Sequence, residues 1–448
     1  MKILFFLFLH MLLTAAAISQ WTYETNLPND STHVPLIWQV RVIDSSVSFV
    51  FGTVHINENQ DYPYFAKRNT SGWQYVNTDL NLSVRGYSFT AIDSLNIWLG
   101  SVHPDNIYYS SNGGMNWILQ KHVADTGHIV GLEFSKQHPN IGYALATLAF
   151  NGFWNGARIL KTTNYGLNWS SWDFEFYAYA AEDNSICVID SNYAWFGASN
   201  VLGGPGKIIM TSNGGLNWNV TDINAGYFSP FTIQFSDDKK TGLFVGETPP
   251  TSWFYRTTNS GQNWNIVYTT TNYYSKTMRW IPGTTNVYGN SEFVIVRSIN
   301  NGFTWSTMTG APNSNLISID AVRINEGTIY ALAVTSNRSV YKLIDTARVI
   351  AIENSEIIIP VVFNLYQNYP NPFNPVTTIK YDIPKTSNVT IVVYDLLGRE
   401  VTRLINNELK NSGRYAINWN ANNYASGVYI YRIKAGDYIS VKKMVLVK

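Results

Sequence analysis

Ser110-Ser111-Asn112-Gly113-Gly114-Met115-Asn116-Trp117 decides the fold, because the chain uses the same phrase four more times. It returns at Thr162–Trp169, Thr211–Trp218, Thr257–Trp264 and Ser298–Trp305, in the shared form Ser/Thr-x-Asn-x-Gly-x-Asn/Thr-Trp. Trp117, Trp169, Trp218, Trp264 and Trp305 are therefore 52, 49, 46 and 41 residues apart, a period close to that of four-stranded propeller blades. Each part of the phrase suits a tight hairpin. The side chains of Asn112, Asn164, Asn213, Asn259 and Asn300 can bond nearby backbone and imitate a turn. Gly114, Gly166, Gly215, Gly261 and Gly302 accept a positive φ that a Cβ resists. The tryptophan covers the turn and packs between neighbouring sheets.

The flanks repeat as well. Short apolar strands precede the phrase at Ile97-Trp98-Leu99-Gly100, Ala194-Trp195-Phe196-Gly197, Leu243-Phe244-Val245-Gly246 and Val287-Tyr288-Gly289. Phe49-Val50-Phe51-Gly52, Tyr143-Ala144-Leu145 and Tyr330-Ala331-Leu332 bring the number of units to seven. An earlier strand in each unit ends at a turn, near Asp44, Asp93, Ser135, Asp190, Ser236, Pro282 and Asn325. The first unit keeps a degenerate phrase at Asn69 to Trp73, and the seventh runs out near Leu343. Its missing outer strand is expected at the other end of the chain, in Gln20 to Thr25, which resembles Asn263 to Tyr268. Pairing the two ends would close a ring and remove two exposed sheet edges. The expected fold is all-β: a seven-bladed propeller closed by the N-terminal strand, then a C-terminal Ig-like sandwich.

The phrase resembles the Asp-box, or BNR, repeats of sialidases, sortilin-type receptors, xyloglucanases and photosystem II assembly-factor propellers. The resemblance covers about residues 20–345 and implies a fold rather than an activity. Its usual Asp is Asn in all five good copies, which keeps the turn chemistry and removes the charge.

From Thr346 to Val362 the repeat gives way to a connecting segment, and 363–448 read as a separate module. Tyr369-Pro370-Asn371-Pro372-Phe373-Asn374-Pro375 cannot enter a helix or a central strand. Alternating strands follow at Thr377 to Ile383, Asn388 to Tyr394, Tyr415 to Trp419, Val428 to Ile433 and Ile439 to Val447, a small sandwich. The words Pro370-Asn371-Pro372, Leu397-Gly398-Arg399, Ser426-Gly427-Val428 and Lys442-Lys443-Met444 occur in order. Together they resemble the type A sorting domain of the type IX secretion system. That resemblance implies export, crossing of the outer membrane, and surface attachment or release. It also implies the secretion machinery as a partner.

The N-terminus agrees with export. Lys2, the apolar run Ile3 to Leu13 and the small residues Thr14 to Ala17 read as a signal peptide over residues 1–19, cut after Ala17 or Ser19. The run is too short to span a bilayer. At 448 residues two folded units are expected. Charged residues are 14% and aromatics 15%, with a net charge of +1, which gives no ground for capture of nucleic acid or an acidic membrane. Cys187 is the single cysteine, so no intrachain disulfide can form; it reads as a strand hydrophobe.

Catalytic residues do not map. Sialidases of this fold use an arginine triad and an early Arg-Ile-Pro word, whereas the nearest word is Arg279-Trp280-Ile281-Pro282 in the sixth unit. Glycoside hydrolysis needs two carboxylates at a set separation, and Asp93, Asp190 and Glu247 read as turn or surface groups. His55, with Glu58 and Asp61, and His103 show no metal-ligand spacing, and no cofactor is called for. If the phrases join third and fourth strands, the second-to-third-strand loops form the opposite face. Those loops run Thr53 to Pro63, Ser101 to Asn106, Thr147 to Gly156, Ala198 to Gly206 and Glu247 to Trp253. They carry the candidate binding residues His55, His103, Phe153, Trp154, Glu247 and Trp253. Phe153 and Trp154 either meet a ligand or plug the top of their sheet. The expected function is a noncatalytic, exported propeller that binds protein or glycan. The alternative is an extracellular glycoside hydrolase, sialidase- or xyloglucanase-like, with a divergent site.

Overall fold

The computed structural model describes residues 19–28, 34–57, 60–80, 84–102, 104–124, 126–150, 153–176, 178–180, 185–200, 205–223, 229–248, 251–270, 277–291, 293–310, 312, 315–348, 362–410 and 413–447. It divides into two compact units, Met1–Ile350 and Ala351–Lys448. Every regular element among the described residues is a β-strand.

In the first unit the repeats fold as antiparallel sheets in chain order. The first is Leu36–Val42, Ser48–Asn57, Gln60–Asn69 and Gly72–Tyr75; the second is Arg85–Ala91, Ile97–Val102, Asn106–Ser110 and Ile118–His122. The third (Thr126–Phe134 to Ser170–Glu175) and fourth (Ala178–Ala180 to Asn219–Ile223) run together in nine strands, joined by a parallel bridge between Gly156 and Tyr179. The fifth spans Ser229–Phe235 to Asn265–Thr270 and the sixth Met278–Trp280 to Ser306–Thr307. The last orders its strands Thr22–Asn26, Ser339–Thr346, Thr328–Thr335, Leu316–Asn325. The first strand of each repeat lies beside that of the next, and Leu316–Asn325 lies beside Leu36–Val42.

The core sits between sheets. Each of the seven apolar clusters of this unit straddles one junction, such as Phe49, Phe51 and Phe65 with Phe89 and Leu99. Trp98 stacks on Phe134 of the next repeat at 4.1 Å, and Trp195 on Phe235 at 3.8 Å. Aromatic pairs at this range contribute about 1 kcal/mol beyond burial.

The repeated phrase folds alike in all five copies. The Ser or Thr hydroxyl accepts the glycine N–H at 2.9, 2.8, 2.8, 3.0 and 2.9 Å in chain order. The Asn carbonyl oxygen accepts the N–H four residues on, at 2.8 to 3.0 Å. The glycines hold φ between +75° and +95°. Asn112 and Asn300 also donate from Nδ2, to Asn116 and Thr304, both at 2.8 Å; an Asp has no such donor. The phrase tips are gripped from the preceding repeat, by Gln120 on Tyr165 O, Lys161 on Gly214 O, Trp195 on Ser260 O and Arg256 on Asn301 O.

The N-terminal strand pairs Thr22 with Lys342, Tyr23 with Tyr341 and Asn26 with Ser339. Trp21 is 1% exposed between the sixth and last sheets, and its backbone N–H donates to Thr309 O at 3.0 Å. Glu24 meets Arg68 of the first sheet at 2.9 Å. Tyr23 does not share the burial of Trp21: it is 54% exposed, its ring edge-on to Tyr341. Trp21 precedes the paired strand Thr22–Asn26 and turns into the cluster of Ile281, Tyr288 and Ile295, whereas Tyr23 lies within the ladder at the sheet surface.

The second unit is two layers. Asn364–Leu365, Val376–Ile383 and Gly413–Asn420 form one sheet; Glu400–Lys410, Ser387–Tyr394, Gly427–Ala435 and Tyr438–Leu446 form the other. They enclose one apolar core, including Phe373, Ile379, Val393, Trp419, Tyr431 and Met444. Glu400–Lys410 was not expected as a strand. Its polar run and repeated register shifts against Ser387–Tyr394 erase the two-residue period. The proline loop covers the last edge strand: Phe373 N–H bonds Val445 O at 2.9 Å, and Asn371 Oδ1 accepts Val445 N–H at 2.8 Å.

Removing Gln20 to Leu27 strips the last sheet of an edge and the sixth junction of its tryptophan. Burial of Trp21 is worth roughly 2–3 kcal/mol and each ladder bond about 1 kcal/mol. The truncated protein is expected to melt at least several degrees lower by calorimetry. A Tm within a degree or two of the parent would contradict the pairing. Gly310→Ala tests the same contact at one atom, since a Cβ there would lie 2.0 Å from Trp21 O at φ +72°.

Candidate binding site in the channel

Among the described residues no further strand pairs with the axial side of the repeats' first strands, so their remaining backbone groups need other partners. Side chains of the preceding repeat supply them. Gln39 Oε1 accepts Phe89 N–H at 3.1 Å, and Ser88 donates to Ile129 O at 2.6 Å. Glu133 Oε2 accepts Val188 N–H at 3.1 Å, and Cys187 Sγ accepts Phe235 N–H at 3.3 Å. Gln234 Oε1 accepts Trp280 N–H at 3.4 Å, and Thr277 Oγ1 accepts Ile319 N–H at 3.1 Å. Asp320 Oδ2 returns to the first repeat, accepting Val42 N–H at 2.7 Å. Every junction has such a bond, always from the earlier repeat to the next.

Two of these acceptors are carboxylates, and cations gather at them. Arg279 Nε lies 2.8 Å from Asp320 Oδ1, and both side chains are buried. Arg41, Lys136, Arg279, Glu133 and Asp320 line a cavity of about 170 Å³ across the axis. A second cavity, about 200 Å³, shares Glu133, Lys136 and Arg279 and adds Cys187, Asp237 and Arg323. Burial pushes the Asp320 carboxyl up, but Arg279, Arg41 and Lys136 outweigh it and leave it below the usual range. For Glu133 burial wins over the same cations, and its pKa is raised. Lys136, on the same cavity wall as Arg41 and Arg279, is exposed. Burial also pushes the Cys187 thiol up, which makes it a poor nucleophile.

The expected loop face comes out differently. The segments Thr53 to Pro63, Thr147 to Gly156 and Glu247 to Trp253 are strand arms more than loops. Pairing continues to His55 with Asp61, Phe150 with Phe153 and Thr248 with Thr251, because aromatic and β-branched residues carry the ladders on. His55 Nδ1 meets Asp61 Oδ1 at the protein surface. Trp253 is half-buried against the cluster of Cys187, Trp195 and Phe244. Glu247 pairs Ser252 on the neighbouring strand, and Phe153 and Trp154 open the strand Phe153–Thr162; their side chains, with His103 and Glu58, lie outside the described residues. Asp93 and Asp190 are turn carboxylates, each accepting two backbone N–H groups, at 2.8 to 3.0 Å. In the second unit Gly398 holds φ +78° in a turn where Arg399 bonds Asp395, and Lys442 and Lys443 lie on the edge strand Tyr438–Leu446.

The channel cluster escaped sequence reasoning. The signal was there: Leu132-Glu133-Phe134 and Ile319-Asp320-Ala321 each put a carboxylate inside an apolar strand, where an unpaired charge is costly.

Known proteins add two findings. A family profile described as "Secretion system C-terminal sorting domain" matches residues 367–448. Such a domain marks export by type IX secretion, and the protein is accordingly secreted or attached to the cell surface. A comparison with curated proteins gives no match. Among solved structures the chain is similar to "YCF48 bound to D1 peptide" at 14% identity and TM-score 0.49, covering 75% of this chain and 100% of that one. It is similar to the GH74 xyloglucanase from Xanthomonas campestris at 8% identity and TM-score 0.44, covering 70% of this chain and 59% of that one. For the Neurospora crassa Pan2 WD40 domain the figures are 10%, 0.45, 73% and 95%.

Acid should expose the buried carboxylates. Hydrogen bonds and cations hold Asp190, Asp320 and Asp345 below the usual Asp value despite burial. Their stabilisation is complete above the unfolded pKa of about 3.9 and is lost as pH falls through the lower folded values. Glu133, shifted upward, has the opposite sign and offsets part of the loss. Melts from pH 7 to 3 should therefore drop steeply below about pH 4, with a shallower acid limb in Asp345→Asn. A flat profile down to pH 3 would contradict these pairings.

Proposed function

We propose that the first unit is a seven-bladed propeller of Asp-box repeats, closed by Thr22–Asn26, that binds protein or glycan outside the cell without turning it over. Residues 1–19 act as the export signal and the second unit as the sorting address. The observation that carries the noncatalytic reading is how the channel carboxylates are used. Asp320 is engaged by Val42 N–H and Arg279, and Glu133 by Val188 N–H. Both serve junctions between repeats, whereas glycoside hydrolysis needs two carboxyl groups about 5 to 10 Å apart and facing substrate.

The purified protein, screened on combined glycan and protein arrays, should retain a partner that is recovered chemically unchanged. Turnover of any arrayed glycan would replace this reading with the glycoside hydrolase.

Deleting Leu365 to Lys448 removes the second unit and no strand of the first. The truncated protein is expected to keep the Tm of its propeller but to remain in the periplasm, as read by fractionation and blotting. Normal delivery to the surface or medium would contradict the sorting role.

A further inference from the structure

Three cations, Arg41, Lys136 and Arg279, meet two carboxylates, Glu133 and Asp320, around the first channel cavity. Both carboxylates are already occupied. Asp320 takes Val42 N–H at 2.7 Å and Arg279 at 2.8 Å, and Glu133 takes Val188 N–H at 3.1 Å. In the adjoining cavity Asp237 accepts Gly283 N–H at 2.5 Å and Arg323 donates to Gly283 O at 3.3 Å, so those opposite charges share one loop. The lining of the first cavity is thus left with a net positive charge.

That charge is reachable. Lys136 and Gln137 line these cavities and are exposed, so the channel opens to solvent at this end. The nearby rings offer no stacking platform, because Phe134 and Trp280 are each 3% exposed. A sugar usually wants an aromatic face; a carboxylate side chain wants converging N–H donors in a small, partly dry space. A cavity of about 170 Å³ holds such a side chain.

We propose that this end of the channel anchors a carboxylate side chain of an acidic protein segment, with Lys136 the first cation it meets. The inference rests on reading the first unit as a binding module and supplies the chemistry of its partner. Arg41 deepens the positive field, and Arg279, held by Asp320, is a positioning residue.

The test is isothermal titration of the full-length protein at low salt with octaglutamate, octaglutamine and hexaglucuronate. Octaglutamate is expected to bind, and the other two at least about tenfold more weakly. Lys136→Met should cost about tenfold in Kd, the scale of one charge-assisted contact, with Tm unchanged because Lys136 is exposed. Salt at about 0.5 M should abolish binding by screening. Octaglutamate binding that survives Lys136→Met would overturn the site, as would failure of octaglutamate to bind. Octaglutamine binding as well as octaglutamate would overturn the role of charge. Hexaglucuronate binding through Lys136 as strongly as octaglutamate would overturn the protein partner. An array partner that binds Lys136→Met normally would leave the binding-module reading standing while this inference falls.

Discussion

A strand with a neighbour on only one side leaves half of its backbone groups without partners, and this chain places one such strand at the axial edge of every repeat. Water cannot satisfy all of them in a packed channel. The solution is a side chain reaching from the preceding repeat: Gln39, Ser88, Glu133, Cys187, Gln234, Thr277 and finally Asp320. Each bond is worth about 1 kcal/mol made, and more than that if one partner is removed and the other stays buried. Because the bonds run one way around and Asp320 reaches Val42, each repeat depends on the one before it.

The rest of the molecule obeys the same rule. The phrase tips are gripped from the preceding repeat by Gln120, Lys161, Trp195 and Arg256. Where the last repeat lacks a phrase, Arg297 reaches Asp345, which also accepts the Tyr288 hydroxyl. The N-terminal strand works as an outer strand for the same reason, touching the sixth, last and first sheets through Trp21, the ladder and Glu24. Charge in the channel follows from structural need first. Asp320 and Glu133 stand there to hold junctions, and the cations that steady them leave positive charge over for a guest.

Much of this was legible in the sequence. Asn112-Gly113-Gly114 and its copies announce a hairpin by local chemistry alone, since a positive φ and a side-chain turn need no distant partner. The strand at Trp21 could be inferred because an unfilled edge exists at the far end of the chain. The exposure of Tyr23 could not, since it depends on whether any neighbouring element covers that part of the outer strand. Glu400–Lys410 was missed because bulges shift its pairing and hide its period. The channel site was missed for a deeper reason. Arg41, Glu133, Lys136, Arg279 and Asp320 come from repeats far apart in the chain, and only the packing of those repeats brings them to one cavity.

The dependence of each repeat on its predecessor is open to hydrogen exchange read by mass spectrometry. Peptides covering Leu36–Val42, Arg85–Ala91, Ile186–Val188 and Leu316–Asn325 carry the N–H groups of Val42, Phe89, Val188 and Ile319. These amides should exchange only with global unfolding, as slowly as those of the central strands Ile97–Val102 and Thr328–Thr335. Exchange at the pace of the outer edge strands Ile118–His122 and Asn219–Ile223 would mean that the axial edges are unsealed, and would contradict the account.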